Sequence, residues 1–242
     1  MPIAIATALA PLVLVFTLAG IGAAVDTPAR YLALGDSYTI GEGVGEDGRW
    51  PVQLAAALNA AGVPCAPPRI IARTGWTTDE LMAAVDTLIP PDRPQPVYDL
   101  VTLLIGVNDQ FRGRTTDDFA KSFPICLNRA VALAGGHRER VVVVAIPDYG
   151  VTPFGTMINQ SMISHAIDAF DAVVRNQTPA PIGYADILPV SRQIFDHKDW
   201  VAGDGLHPTP VQYAAWTAVI LPLAKAALTA KPADATSATP AP

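Results

Sequence analysis

The 242-residue sequence is poor in cysteine, with Cys65 and Cys126 alone, and poor in charge, with 16% Asp, Glu, Lys and Arg. Two cysteines leave room for one disulfide at most in an oxidising compartment, and read equally well as two buried free thiols. Lys and Arg number 16 against 22 Asp and Glu, a formal net charge of -6. Binding to nucleic acid relies on clustered basic side chains to neutralise phosphates, and their lack here excludes a nucleic-acid partner. The chain also lacks any internal repeat and any shift of composition that would divide it. With 50% hydrophobic residues it is long enough to build one compact domain around a sizeable core.

Charge is missing altogether from the first 24 residues, MPIAIATALAPLVLVFTLAGIGAA, which end in Gly22-Ala23-Ala24, small residues of the kind a signal peptidase reads. Residues 1–24 are therefore expected to act as a signal peptide that exports the protein to the periplasm or the medium. No Lys or Arg precedes the apolar run, and its length approaches the roughly 20 residues that span a bilayer. An uncleaved anchor, associating the protein with a membrane, is the alternative. No cysteine follows the run, so no lipid anchor is indicated. At the other end, residues 231–242 are rich in Ala, Pro and Thr without a periodic apolar face, and are expected to be a disordered tail.

Between these segments, short apolar runs recur at 31–34, 69–72, 100–105, 141–146 and 182–185. The run at 141 is continuously apolar and the run at 100 is apolar but for Thr102, as strands covered on both faces should be. Helical spacing occupies 51–61, 78–88, 117–134, 157–174 and 210–228. The alternation predicts a three-layer α/β domain over about 30–229, with a doubly wound parallel sheet of five strands. In such sheets sites gather beyond the carboxyl ends of the strands.

Three polar clusters fall at such places, Gly35-Asp36-Ser37, Arg73-Thr74-Gly75-Trp76 and Gly106-Val107-Asn108-Asp109, and a fourth, Asp204-Gly205-Leu206-His207-Pro208, lies near the end of the chain before the last helix. Acyl transfer needs a nucleophile, a base, a group that orients the base, and donors for the oxyanion. Ser37, His207, Asp204 and the pair Gly75 and Asn108 supply those types. Each cluster alone also has an ordinary reading, as a helix cap or a polar turn. Tyr38, Trp76, Phe111, Tyr149 and Phe154 also follow strands, as does Asp109, and are candidates for substrate binding, although aromatics there equally suit a core.

Taken together, the GDS, glycine, GxND and DxxHP blocks resemble those of the SGNH, or GDSL-type, hydrolases, in the order that family carries them. The resemblance covers the chain from about Tyr31 to Leu228. It implies a flavodoxin-like fold and a cofactor-independent serine esterase. Ser37 would be the nucleophile, His207 the base and Asp204 its orienter, with the Ser37 N–H, the Gly75 N–H and the Asn108 side chain as the oxyanion hole. No G-x-S-x-G elbow surrounds Ser37, which argues against the α/β-hydrolase fold. The expected substrate is a small ester or a lysophospholipid. Deacetylation of a carbohydrate and silent binding of a lipid or glycan are the rivals.

The remaining features carry less. Gly41-Glu-Gly-Val-Gly-Glu-Asp-Gly48 superficially resembles a phosphate loop, but its three acids would repel an anion and no Lys-Ser/Thr pair follows. His165 and Asp168, one helical turn apart, suggest a surface hydrogen bond rather than a metal site, and His137 and His197 read as loop residues.

Overall fold

The structure is a computed structural model that describes residues 27–229. The expectations for residues 1–24 and 231–242 fall outside the described residues. In chain order the elements are β1 (Tyr31–Gly35), α1 (Ser37–Ile40), α2 (Trp50–Ala60), β2 (Arg69–Ala72), α3 (Thr78–Leu88), β3 (Leu100–Leu104), α4 (Val107–Phe111) and α5 (Thr116–Leu133). There follow β4 (Val141–Val144), α6 (Pro153–Ile158), α7 (Gln160–Asn176), β5 (Gly183–Ala185), α8 (Leu188–Ser191) and α9 (Pro210–Thr229).

The five strands of the described residues pair in parallel, in the order β2-β1-β3-β4-β5. Parallel neighbours need a crossover rather than a hairpin, and the intervening helices supply it. β1, β3 and β4 are buried along their whole length, as strands with helices on both faces must be. The one polar residue of β3, Thr102, is satisfied by the Tyr31 hydroxyl of β1 at 3.0 Å. β3 ends one residue earlier than its apolar run because the chain turns at Gly106, whose φ is +127°. A Cβ there would lie 2.7 Å from the Phe119 ring and 2.8 Å from Ile146, so only glycine fits.

On one side of the sheet α2 packs along α9, and α9 also lies on β4 and β5, while α3, α5 and α7 pack in sequence on one another. Although α9 is long and apolar enough to cross a membrane, it carries Tyr213, Trp216 and Ile220 into the domain core. Truncating a buried tryptophan such as Trp216 to alanine typically costs about 3–5 kcal/mol.

The helix expected over 157–174 is two helices. Thr152 caps α6, accepting the Gly155 N–H at 3.1 Å, and Pro153 occupies its first turn. The chain then breaks at Asn159, where the backbone is extended and the side chain accepts the Met162 N–H at 3.1 Å to start α7. The disulfide alternative is set aside: Cys65 and Cys126 are both buried free thiols. Cys65 precedes β2, whereas Cys126 faces α3, its thiol donating to Thr78 O at 3.6 Å.

Candidate active site

The strand order decides which loops meet. β1 lies between β2 and β3, with Gly35 in register with Ala72 on one side and Leu104 on the other. The chain turns from β1 to one neighbour and later crosses to the other, so this is the switch point of the sheet, where a crevice opens. The residues just beyond the three strand ends therefore share one rim, and among them are Ser37, Gly75 and Asn108.

Ser37 opens α1. Asp36 caps that helix, accepting the Tyr38 N–H at 3.0 Å, and Gly41 ends it in a left-handed conformation with φ of +74°. The first residue of a helix has no carbonyl one turn back to receive its N–H, which leaves the Ser37 N–H available. Ser37 is 4% exposed, a hydroxyl at the floor of the crevice rather than on the open surface. Asp36 beneath it is wholly buried, and its Oδ2 has no hydrogen-bond partner. Burial pushes its carboxyl up to about 8, against the Tyr38 N–H, which favours the charged form, and with a smaller upward push from the charge of Asp109.

His207 comes from the segment before α9. That segment is pinned by a bridge between Val201 and Pro208, and by Ala202 N–H donating to His207 O at 2.8 Å. Asp204 Oδ2 lies 2.6 Å from His207 Nδ1, and its Oδ1 accepts the N–H groups of Leu206 at 2.9 Å and His207 at 3.0 Å. Partial burial would raise the Asp204 carboxyl, but the hydrogen bonds from His207 and Leu206 outweigh it and hold the group below its ordinary range. A carboxylate on Nδ1 selects the tautomer protonated there, leaving Nε2 as an acceptor. The imidazole packs on the Tyr38 ring at 5.4 Å between centroids, which limits its rotation.

Gly75, with φ of +84°, sits in the turn after β2. Asn108 is in the first turn of α4, and its Nδ2 donates one proton to Trp76 O at 3.0 Å. A carboxamide nitrogen has two protons, so the second is available to another acceptor.

Ser37, Gly75, Asn108 and His207 all line one cavity of about 130 Å³, together with Tyr38, Thr74, Val107, Phe111, Tyr149, Phe154 and Leu206. Phe111 stands at its rim, 54% exposed, with its ring 6.1 Å from that of Tyr149 and 6.3 Å from that of Phe154. The Tyr149 hydroxyl is taken up by Gln110 Oε1 at 2.8 Å.

Two of the expected substrate-binding residues lie elsewhere. Asp109 is wholly buried and faces α3, accepting Thr78 N–H at 3.0 Å and Thr78 Oγ1 at 2.7 Å, with Arg114 at 3.1 Å. Successive helical residues point about 100° apart, and the step from Asn108 to Asp109 turns the carboxylate toward α3, whereas Val107 on the other side stays at the cavity wall. Trp76 packs against the core, and its contribution to the site is the carbonyl held by Asn108. Thr74, Val107 and Leu206 were not legible as wall residues, though each lies inside or beside a recognised block. The pairing expected between His165 and Asp168 does not form: His165 Nδ1 bonds Ser161 O at 2.7 Å, while Asp168 accepts from Arg192 at 2.6 Å. Among the described residues no group of three or more His, Cys, Asp or Glu is placed to hold a metal ion.

The pattern of the GDSL-like lipase/acylhydrolase family matches residues 33–215. No curated protein sequence matches the chain. Among solved structures it is similar to a lipase/acylhydrolase from Enterococcus faecalis, at 21% identity and a TM-score of 0.60, over 85% of this chain and 100% of that one. It is similar to the psychrotrophic esterase EstA from Pseudoalteromonas sp., at 16% identity and 0.57, over 81% and 97%. It is also similar to an acetylxylan esterase from Geobacillus stearothermophilus, at 15% identity and 0.56, over 81% and 94%. These likenesses show a shared fold, and the family match runs from β1 into α9. On that match the chain belongs to the GDSL-like lipase/acylhydrolase family and is a carboxylic ester hydrolase.

Proposed function

We propose that this hydrolase cleaves small carboxylic esters through an acyl-enzyme on Ser37. Ser37 Oγ attacks the carbonyl carbon while His207 Nε2 takes the hydroxyl proton, and the carbonyl oxygen becomes an oxyanion held by the Ser37 N–H, the Gly75 N–H and Asn108 Nδ2. Collapse breaks the ester bond, and the departing alcohol takes the proton from His207. A water then gives its proton to His207 and attacks the acyl carbon. The acid leaves as Ser37 recovers its proton. Asp204 orients the imidazole and stabilises its charged form.

The observation that carries this reading is the 2.6 Å contact of Asp204 with His207, on a histidine that shares a cavity with Ser37, Gly75 and Asn108. That complete set speaks against a silent binding protein. The volume of about 130 Å³ is small beside the roughly 300–1,000 Å³ of sites for drug-sized ligands, which favours a short acyl group over the long chain of a lysophospholipid. An acetyl group meets the same limit, so an acetylated carbohydrate is the second reading. We place the protein in the periplasm or the medium, on the strength of the uncharged apolar segment at 1–24.

The test is a panel of p-nitrophenyl esters from acetyl to palmitoyl, with an acetylated glycan alongside. The reading expects turnover that is fastest at the short end. Turnover that rises toward palmitoyl would replace it with the lysophospholipid reading, and none on any substrate would favour the binding module.

A further inference from the structure

Glycine is the least restrained residue in a chain, so a hydrogen-bond donor carried on Gly75 needs to be held from outside. Arg112, at the carboxyl end of α4, does so through one bond to the Gly75 carbonyl and a second that ties its own guanidinium to Glu80. Its Nη2 donates to Gly75 O at 2.5 Å, and its Nη1 donates to Glu80 Oε1 at 3.2 Å. Glu80 accepts the Thr77 N–H at 2.9 Å through its other oxygen and so completes the capping box of α3. The Thr77 N–H first, and then Arg112, keep the Glu80 carboxyl below its ordinary range, which preserves the charge that aims the guanidinium. The next carbonyl along, Trp76 O, is held by Asn108. The turn that presents Gly75 is thus clamped to α4 at two consecutive carbonyls and to the start of α3 through Glu80.

We propose that Arg112 is a positioning residue for the oxyanion hole, fixing the Gly75 turn without touching the ester. This rests on the reading of Gly75 as a hole donor. The planar guanidinium is suited to the task, since it reaches two acceptors in a fixed fork where an ammonium offers a point charge. A direct role in binding an anionic substrate fits poorly. The groove that Arg112 lines also contains Asp79, Glu80, Asp109 and Asp118, and its other cation, Arg114, is already paired with Asp79 and Asp109. Arg112 and Glu80 are about half exposed, with side chains at 51% and 44%, so their ion pair contributes little to global stability. Loss of the brace should therefore appear in kcat and in local mobility rather than in folding.

The experiment compares wild type, Arg112→Ala and Arg112→Lys. It measures kcat and KM on p-nitrophenyl acetate, the melting temperature, and amide hydrogen exchange over residues 73–77. Arg112→Ala is expected to lower kcat about 10- to 100-fold with KM changed no more than about twofold, since a misplaced group costs the transition state more than the ground state. Exchange at 73–77 should quicken while the melting temperature stays within about 2 °C. Arg112→Lys should recover part of kcat. Unchanged kcat with unchanged exchange would overturn the proposal, as would a kcat loss matched by general destabilisation, or full recovery by lysine, which would assign the effect to charge alone. If wild type cleaves no ester, the esterase reading fails, and the exchange comparison still decides whether Arg112 braces the turn.

Discussion

His207 Nδ1 stands 2.6 Å from Asp204 Oδ2, and the other oxygen of that carboxylate is occupied by two backbone N–H groups three or fewer residues away. The carboxylate therefore anchors both the ring and the turn that carries it. Asp204→Asn keeps the size but offers Nδ1 an amide in place of a charge. It should lower kcat by about 10³- to 10⁴-fold, as expected where the orienting acid of a triad is lost. The pH dependence of stability follows from the same contact. The folded pKa lies below the unfolded one, so the contribution is present above the ordinary aspartate value of about 3.9 and is lost as pH falls through the folded value. Melting curves between pH 2 and 6 should show a shallower acid limb in Asp204→Asn than in wild type.

Asp36 titrates in the opposite sense. Burial raises its folded pKa to about 8, so the folded protein keeps a proton that the unfolded chain gives up near the ordinary value of about 3.9. The proton stabilises the fold fully below the unfolded pKa, and that stability drains away as pH rises toward 8. Asp36→Asn retains an oxygen for the Tyr38 N–H and removes the titration. Its melting temperature relative to wild type should climb steadily between pH 5 and pH 8. Parallel curves over that interval would show that Asp36 is not a buried neutral acid.

Asn108 is held by one proton to Trp76 O and presents the other to the cavity. If the free proton meets the developing oxyanion, Asn108→Ala should lower kcat by about 10²- to 10³-fold with a much smaller change in KM. Asn108→Asp should be at least as inactive, because a carboxylate there repels the oxyanion and also faces the Trp76 carbonyl. Steady-state kinetics on both variants check this, and an active Asn108→Asp enzyme would remove the residue from the mechanism.

The cysteines give a test of the fold that is independent of catalysis. Both thiols are buried, and burial pushes Cys65 up to about 11 and Cys126 higher still, so neither is a ready thiolate. A thiol reagent added without reductant should label neither in the native protein and both after unfolding in denaturant. No label after unfolding would indicate the disulfide that the structure excludes.

The sheet was legible because β4 is wholly apolar and β3 is apolar but for Thr102, a pattern that burial on both faces demands. The four blocks were legible because chemistry fixes their residue types, and because strand ends fix the place of three of them and the start of α9 that of the fourth. What could not be read were features that depend on a single side chain's direction. Asp109 sits beside Asn108 in sequence, yet one residue of helical rotation turns it into the contact with Thr78 and Arg114. Asn159 breaks a continuous helical pattern because its carboxamide starts a new helix, and its signal is hidden within a polar run. Arg112 carries no motif, and its importance emerges only from the distance to Gly75 O.

The central claim is that Ser37 is the nucleophile, activated by His207. Its most direct test is treatment of the intact protein with a fluorophosphonate, followed by mass measurement and mapping of the modified peptide, on wild type, Ser37→Ala and His207→Ala. The account predicts one adduct per chain, on Ser37, absent in Ser37→Ala and formed far more slowly in His207→Ala, with all three proteins sharing the same far-UV spectrum. An adduct on any other residue, or labelling that persists in Ser37→Ala, would contradict it.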